Sequence, residues 1–217
     1  YIKRLPTSDF KAQRRGGRGV QGMGVHDDDF IEHLITTSTH DELLFFTNIG
    51  KVYRMKGYEV PEYGRAAKGI PMINLLDLSK EEKIQTVINV AEDKRNASNY
   101  LFFTTVHGIV KRTSVTEFSN IRKNGLKAIN LREGDELINV SITDGTQNII
   151  IATHNGYAVS FKEEAVRAMG RSASGVRGIK LREGDYVIGA SLLKPDSKVF
   201  VISEKGFGKQ TSALEYP

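Results

Sequence analysis

The sequence predicts an all-β protein assembled from propeller-type blades, each of about four short strands in ~50 residues. Three observations carry that prediction. The pentapeptide LREGD occurs at Leu131–Asp135 and again at Leu181–Asp185, a shift of 50 residues. The match widens around it: GLKAINLREGD from Gly125 parallels GVRGIKLREGD from Gly175, with looser versions in GIPMINLLDLS from Gly69 and GVQGMGVHDDD from Gly19. These four glycines are 50, 56 and 50 residues apart. Finally, an apolar run, a glycine-bearing turn and an alternating strand with basic residues recur through the chain, while helical periodicity is weak.

In chain order, YIKRLP (1–6) aligns with the alternating strand KVYRMK (51–56), so the chain opens on the second strand of a hairpin. Hairpins are then expected in LLFFTNIGKVYRMK (43–56), YLFFTTVHGIVKRT (100–113), IIIATHNGYAVSFK (149–162) and VFVISEKGFGKQT (199–211). Each is a β-branched or aromatic run broken by a glycine turn, and the Asn155-Gly156 pair is a particularly strong hairpin signal. TVINV (86–90), LINVSIT (137–143) and VIGASLL (187–193) read as further strands, and SKEEK (79–83) as a short helical candidate. The chain therefore holds about four blade equivalents, three full and the rest partial, and reads as a stretch of a longer array.

Composition fits a folded domain, with 39% hydrophobic and 26% charged residues. Cysteine is absent, which excludes disulfides and thiolate metal sites and fits a reducing cytoplasm. No apolar run approaches the roughly 20 residues that span a bilayer, and YIKRLPTSDF is neither a signal nor a transit peptide. The net charge of +5 is concentrated at one end. Residues 1–25 carry Lys3, Arg4, Lys11, Arg14, Arg15 and Arg18 against Asp9 alone, and the remaining 192 residues balance 25 basic with 25 acidic side chains. A focused positive field attracts polyanions such as nucleic acid.

At the centre of that field lies QRRGGRG: Gln13, Arg14, Arg15, Gly16, Gly17, Arg18 and Gly19. Aligned on the repeat glycine, it corresponds to YGRAAKG (63–69), SNIRKNG (119–125) and MGRSASG (169–175), and is therefore one decorated copy of a loop found in every repeat. Arg15, Arg65 and Arg171 share a column, with Arg122 displaced by one; Arg18 and Lys68 share another. Gly16 and Gly17 align with Ala66 and Ala67 and with Ser172 and Ala173, so blade geometry as such is not expected to demand glycine there. Close backbone approach to a ligand, or a loop that rearranges on binding, explains them better.

Set in a ~50-residue all-β repeat, QRRGGRG resembles the signature box of the C-terminal domain of the bacterial DNA gyrase A protein, and the resemblance extends over the whole chain. It implies a β-pinwheel, a propeller-like ring or spiral of about six blades that exchange strands and carry DNA around their rim. On that resemblance, residues 1–217 are a single DNA-wrapping domain that is not itself catalytic. It would bind double-stranded DNA with no cofactor of its own, as part of an ATP-dependent type II topoisomerase whose ATP and Mg²⁺ are held elsewhere. The implied partners are the rest of the gyrase A protein and the gyrase B protein, joined in a heterotetramer, in the bacterial cytoplasm at the nucleoid, with no membrane.

Wrapping needs cations, because bending 20–30 base pairs by 40–90° costs of order 1–6 kcal/mol that phosphate contacts must recover. The expected DNA-facing residues are the box with Lys11, the diluted loop copies (Arg65, Lys68, Arg122, Lys123, Arg171), and the strand columns Lys3/Lys111/Lys209 and Arg4/Arg54/Arg112. For the columns a merely solvated strand face is the competing reading. No base-reading constellation is visible, so binding independent of sequence is expected. The alternatives are a propeller-like protein-interaction scaffold, the equivalent domain of a topoisomerase IV, and a disordered arginine-glycine segment binding RNA. His26, His33 and His40 beside Asp27–Asp29 lack a metal-ligand pattern, and Glu133/Asp135 with Glu183/Asp185 read as turns about Gly134 and Gly184.

Overall fold

Four hairpins organise the computed structural model, which describes residues 1–216. They are β1 (Glu42–Thr47) with β2 (Lys51–Lys56), β4 (Tyr100–Thr105) with β5 (Ile109–Ser114), β8 (Asn148–Thr153) with β9 (Ala158–Lys162), and β12 (Lys198–Ile202) with β13 (Gly208–Ser212). Each falls where an apolar run meets a glycine turn. A third strand follows three of the hairpins and pairs with the first strand of each: β3 (Ile84–Val90) on β1, β7 (Leu137–Thr143) on β4, and β11 (Val187–Leu192) on β8.

The fourth strand comes from further along the chain. The two-residue β6 (Leu126–Lys127) pairs with β2, and β10 (Val176–Arg177) pairs with β5. The resulting sheet orders are β3-β1-β2-β6 and β7-β4-β5-β10, so successive blades are laced together by lent strands. The same relation appears at the start of the chain, where Ile2 bridges Ile70.

Blade-to-blade stacking explains why LLFF and YLFF read as runs and not as alternations, since a sheet covered on both faces needs apolar residues on both. Leu44 and Phe46 of β1 face Leu101 and Phe103 of β4 in one cluster, while Leu43 and Phe45 face Tyr53, Met55 and Leu76 in another. Phe46 and Phe103 meet edge-on with centroids 5.7 Å apart. Burying each such side chain contributes roughly 1.5–3 kcal/mol.

SKEEK forms a turn where a helix was expected. Glu82 faces inward, and its carboxylate accepts hydrogen bonds from Ser79 N–H, Thr47 Oγ1 and Tyr53 Oη. The first, with Glu82 N–H donating to Ser79 O, closes the segment on itself, and the other two tie it to the β1–β2 hairpin. FIEHLITT (30–37) occupies the repeat position of β7, yet among the described residues no strand pairs with it, and Phe30 and Leu34 are exposed. No helix among the described residues is long and apolar enough to cross a membrane.

Candidate nucleic-acid interface

The three copies of the arginine loop at 63–69, 119–125 and 169–175 sit at blade junctions, whereas among the described residues no strand is lent after the box at 13–19. Residues 119–125 lead directly into β6 and residues 169–175 into β10, so these loops run beside β2 and β5, the second strands of the hairpins one blade earlier than their own, before lending their strands. The repeat glycine makes that approach feasible. Gly69, Gly125 and Gly175 have φ of +80°, +79° and +95°, and a Cβ there would strike Ile2, Tyr53 and Val110 respectively.

Within the loop, one β-turn recurs: Gly17 N–H donates to Arg14 O, Ala67 N–H to Gly64 O, and Ala173 N–H to Gly170 O. The column arginine (Arg15, Arg65 or Arg171) holds the second position of that turn. In SNIRKNG the turn lies two residues later, from Arg122 to Gly125, consistent with the displaced arginine. All box residues from Gln13 to Gly19 are exposed, as are Lys11, Arg65, Lys68, Arg122 and Lys123, while Arg171 is half-buried. Among the described residues, the side chains of Arg14, Arg15 and Arg18 form neither ion pairs nor hydrogen bonds, which leaves all three guanidinium groups available to phosphate.

The box glycines need correcting. They are demanded by the box's own turn. Gly16 has φ +92° at the third turn position, which defines a type II turn; Ala66 and Ser172, with negative φ, take the other form. Gln13 reaches across the loop, its Oε1 accepting Gly19 N–H at 2.9 Å, and a Cβ on Gly17 would lie 2.5 Å from that oxygen. Blade geometry tolerates alanine, as expected, whereas the box in the turn it adopts here calls for glycine at both positions.

The strand columns also divide differently from expectation. Lys111 is fully buried, and its Nζ donates to Ala128 O, Gly170 O and Arg171 O at 2.6, 3.1 and 2.9 Å. Burial pushes its ammonium down to about 8, against the opposing pull of Glu117, with Arg171 adding to the depression. It cannot face a ligand. Lys3 is half-buried and donates to Gly64 O, Arg65 O and Ala67 O, and desolvation lowers its pKa. Arg4 pairs with Glu62 at 2.7 Å, and Arg54 pairs with Glu42 at 3.1 Å and donates to Ser119 O. Arg112 lies over the Tyr100 ring, 3.9 Å from buried Glu163. Neighbouring blades bury Lys111 and partly cover Lys3, Arg4 and Arg112, whereas Arg54 stays exposed while held by Glu42. Lys209 is exposed.

Sequence reasoning missed the carboxylates that hold these arginines. Glu42 is buried and binds both Arg54 and Arg95, the latter at 2.7 Å, and Glu163 is buried against Thr143 Oγ1. Their signal was faint, since both flank strands like ordinary surface residues. The repeated acids behave as turn residues: Asp135 Oδ1 accepts His107 N–H and Glu136 N–H, and Asp185 Oδ1 accepts Asn155 N–H and Tyr186 N–H. His26 lies by Tyr1 and His40 by Tyr58, and among the described residues no three His, Asp or Glu side chains gather as metal ligands.

Blades laced by lent strands and edged by arginine loops define a propeller-class repeat domain. A family model described as "DNA gyrase C-terminal domain, beta-propeller" matches residues 1–38, 41–91, 99–144, 147–194 and 197–217, and the chain belongs to that family. The DNA gyrase A protein of Streptococcus pneumoniae serotype 4 (strain ATCC BAA-334 / TIGR4) is 66% identical over 174 residues, covering 80% of this chain and 21% of that protein. The chain thus spans about a fifth of the length of the curated relatives it matches. Among solved structures, the C-terminal domain of a DNA topoisomerase IV superposes with a TM-score of 0.78 at 30% identity, covering 91% of this chain and 61% of the other. A DNA gyrase A C-terminal domain gives 0.75 at 29% identity, covering 100% and 69%.

Proposed function

We propose that the chain binds double-stranded DNA without reading its sequence and bends it across successive blade junctions. It does so as the non-catalytic wrapping part of a gyrase A protein that works together with gyrase B. The observation that carries this reading is the box itself: three unpaired guanidinium groups on an exposed loop, followed by arginine-bearing copies of that loop at successive junctions. Arginine's planar fork pairs with two phosphate oxygens, and a row of such groups compensates the cost of bending. The cations free to take phosphate are Lys11, Arg14, Arg15 and Arg18, with Arg65, Arg122 and Lys123 extending the path, Lys68 beside them with its Nζ 3.1 Å from His26 Nδ1, and Arg171 at its half-buried edge. Lys3, Arg4, Arg54 and Arg112 support the loops and strands from behind, while Lys111 is excluded from contact by its burial.

The test is replacement of Arg14, Arg15 and Arg18 by alanine in the gyrase protein that carries this chain. Loss of supercoiling with retained relaxation is expected. Equal loss of both activities would contradict the proposal, and a stoichiometric complex with an acidic protein, without any effect on DNA topology, would favour an interaction scaffold instead.

A further inference from the structure

The loop at 63–69 carries a feature that its arginine alone does not explain. Lys3 Nζ, reaching over from the strand beside it, lies 2.9 Å from Gly64 O, 2.7 Å from Arg65 O and 2.8 Å from Ala67 O. In a trans peptide the N–H points opposite to the C=O. Drawing those three carbonyls onto one ammonium therefore turns out the three amides that share their peptide planes, which belong to Arg65, Ala66 and Lys68. Among the described residues these three N–H groups donate to nothing, and all three residues are exposed. Outward N–H groups of a turn form a concave anion-binding nest; here the adjacent Arg65 and Ala66 amides and, past the Ala67 amide that closes the turn onto Gly64 O, the Lys68 amide supply it, flanked by the Arg65 and Lys68 side chains.

We propose that residues 64–68 form a backbone cradle for a phosphate group, and that Lys3 is the positioning residue that builds it from the opposite side of the loop.

The arrangement recurs, which argues against accident. Lys111 gathers Gly170 O and Arg171 O of the copy at 169–175 in the same manner, and there the Ser172 amide is turned out, whereas the Arg171 amide is taken by Glu117 at 3.2 Å. Where the column holds Tyr53, the neighbouring loop shifts its turn by two residues. The cradle belongs to the copies and not to the box, because the type II turn at Gly16 turns the peptide between Arg15 and Gly16 over relative to the peptide between Arg65 and Ala66. Box and first copy thus hold phosphate by different means: free guanidinium groups at one, oriented amides with two side chains at the other.

The inference rests on the DNA-binding reading above, and one experiment separates the two. The full chain is labelled with nitrogen-15 and titrated at low salt with a short linear DNA duplex, as wild type and as Lys3→Met, which keeps the stem and removes the ammonium. In the wild type, the amide signals of Arg65, Ala66 and Lys68 move together with those of the box. In Lys3→Met the box still responds and the three loop amides do not. Wild-type loop amides that stay still while the box responds overturn the cradle and leave DNA binding intact; so does a full loop response in folded Lys3→Met. If neither region moves in the wild type, the DNA-binding reading falls with it. Should Lys3→Met fail to fold, the wild-type titration decides alone.

Discussion

Replacing Arg14, Arg15 and Arg18 together by alanine should separate binding from folding. The three side chains are exposed and make no ion pair or hydrogen bond among the described residues, so the removal of each changes stability by no more than about 0.5 kcal/mol. For a domain of this size that corresponds to a melting shift of about 2 °C or less. Binding responds on another scale. Each phosphate contact contributes ~0.9 to the slope of log K against log salt, so three contacts contribute ~2.7. Between 0.1 and 1 M salt, the wild type should therefore lose about 500-fold more affinity than the variant. Fluorescence anisotropy of a labelled duplex, read across a salt series, measures the slope, and calorimetry measures the melting point. A slope reduced by less than about 1, or a melting point lowered by more than about 5 °C, would refute the view that these arginines are free groups held for phosphate.

Lys111 predicts a pH signature. Its ammonium is depressed to about 8 from 10.5, chiefly by burial, so between those values the unfolded chain binds more protons and stability rises with pH. Relative to Lys111→Met, the wild type should gain about 2 kcal/mol between pH 7.5 and pH 10, read by denaturant unfolding at those two values; a constant difference would contradict the burial. Gly16→Ala should cost less than about 1 kcal/mol, because the loop can adopt the turn seen at Gly64–Ala67, yet it should weaken DNA binding by reorienting Arg15. A loss above about 2 kcal/mol would show that the loop cannot switch. Tyr53→Phe removes the hydroxyl that donates to Glu82 and should destabilise by about 1–3 kcal/mol. A neutral result by thermal melting would show that Ser79 and Thr47 suffice for that carboxylate.

How much of this was legible beforehand depended on whether the determinants were local. The hairpins announced themselves, since apolar runs such as LLFF and IIIAT meet glycine turns within six residues. The box was recognisable as a loop because its copies at 63–69, 119–125 and 169–175 share its place in the repeat. The lent strands β6 and β10 were not, being two residues long and paired with partners more than 60 positions away. Lys111 misled for a related reason: period-two alternation identifies a face, but which face a neighbouring blade covers is a tertiary fact. A clue was present in the column itself, where Lys3, Tyr53, Lys111, Val159 and Lys209 mix ammonium with apolar side chains. A solvated position rarely holds tyrosine and valine in its repeats, whereas an inner position with a polar end to satisfy accepts all three. The glycines of the box deceived in the opposite direction. Alignment with alanine and serine suggested freedom, but Gln13, which no other copy carries, closes its loop differently.

The most direct test of wrapping is topological. Nicked circular DNA is saturated with the full chain at low salt, sealed by ligase, stripped of protein and resolved by linking number. Wrapping around the blade junctions predicts a distribution displaced from the protein-free control, by an amount that grows with protein added and shrinks when Arg14, Arg15 and Arg18 are alanine. An unchanged distribution at saturation would contradict it.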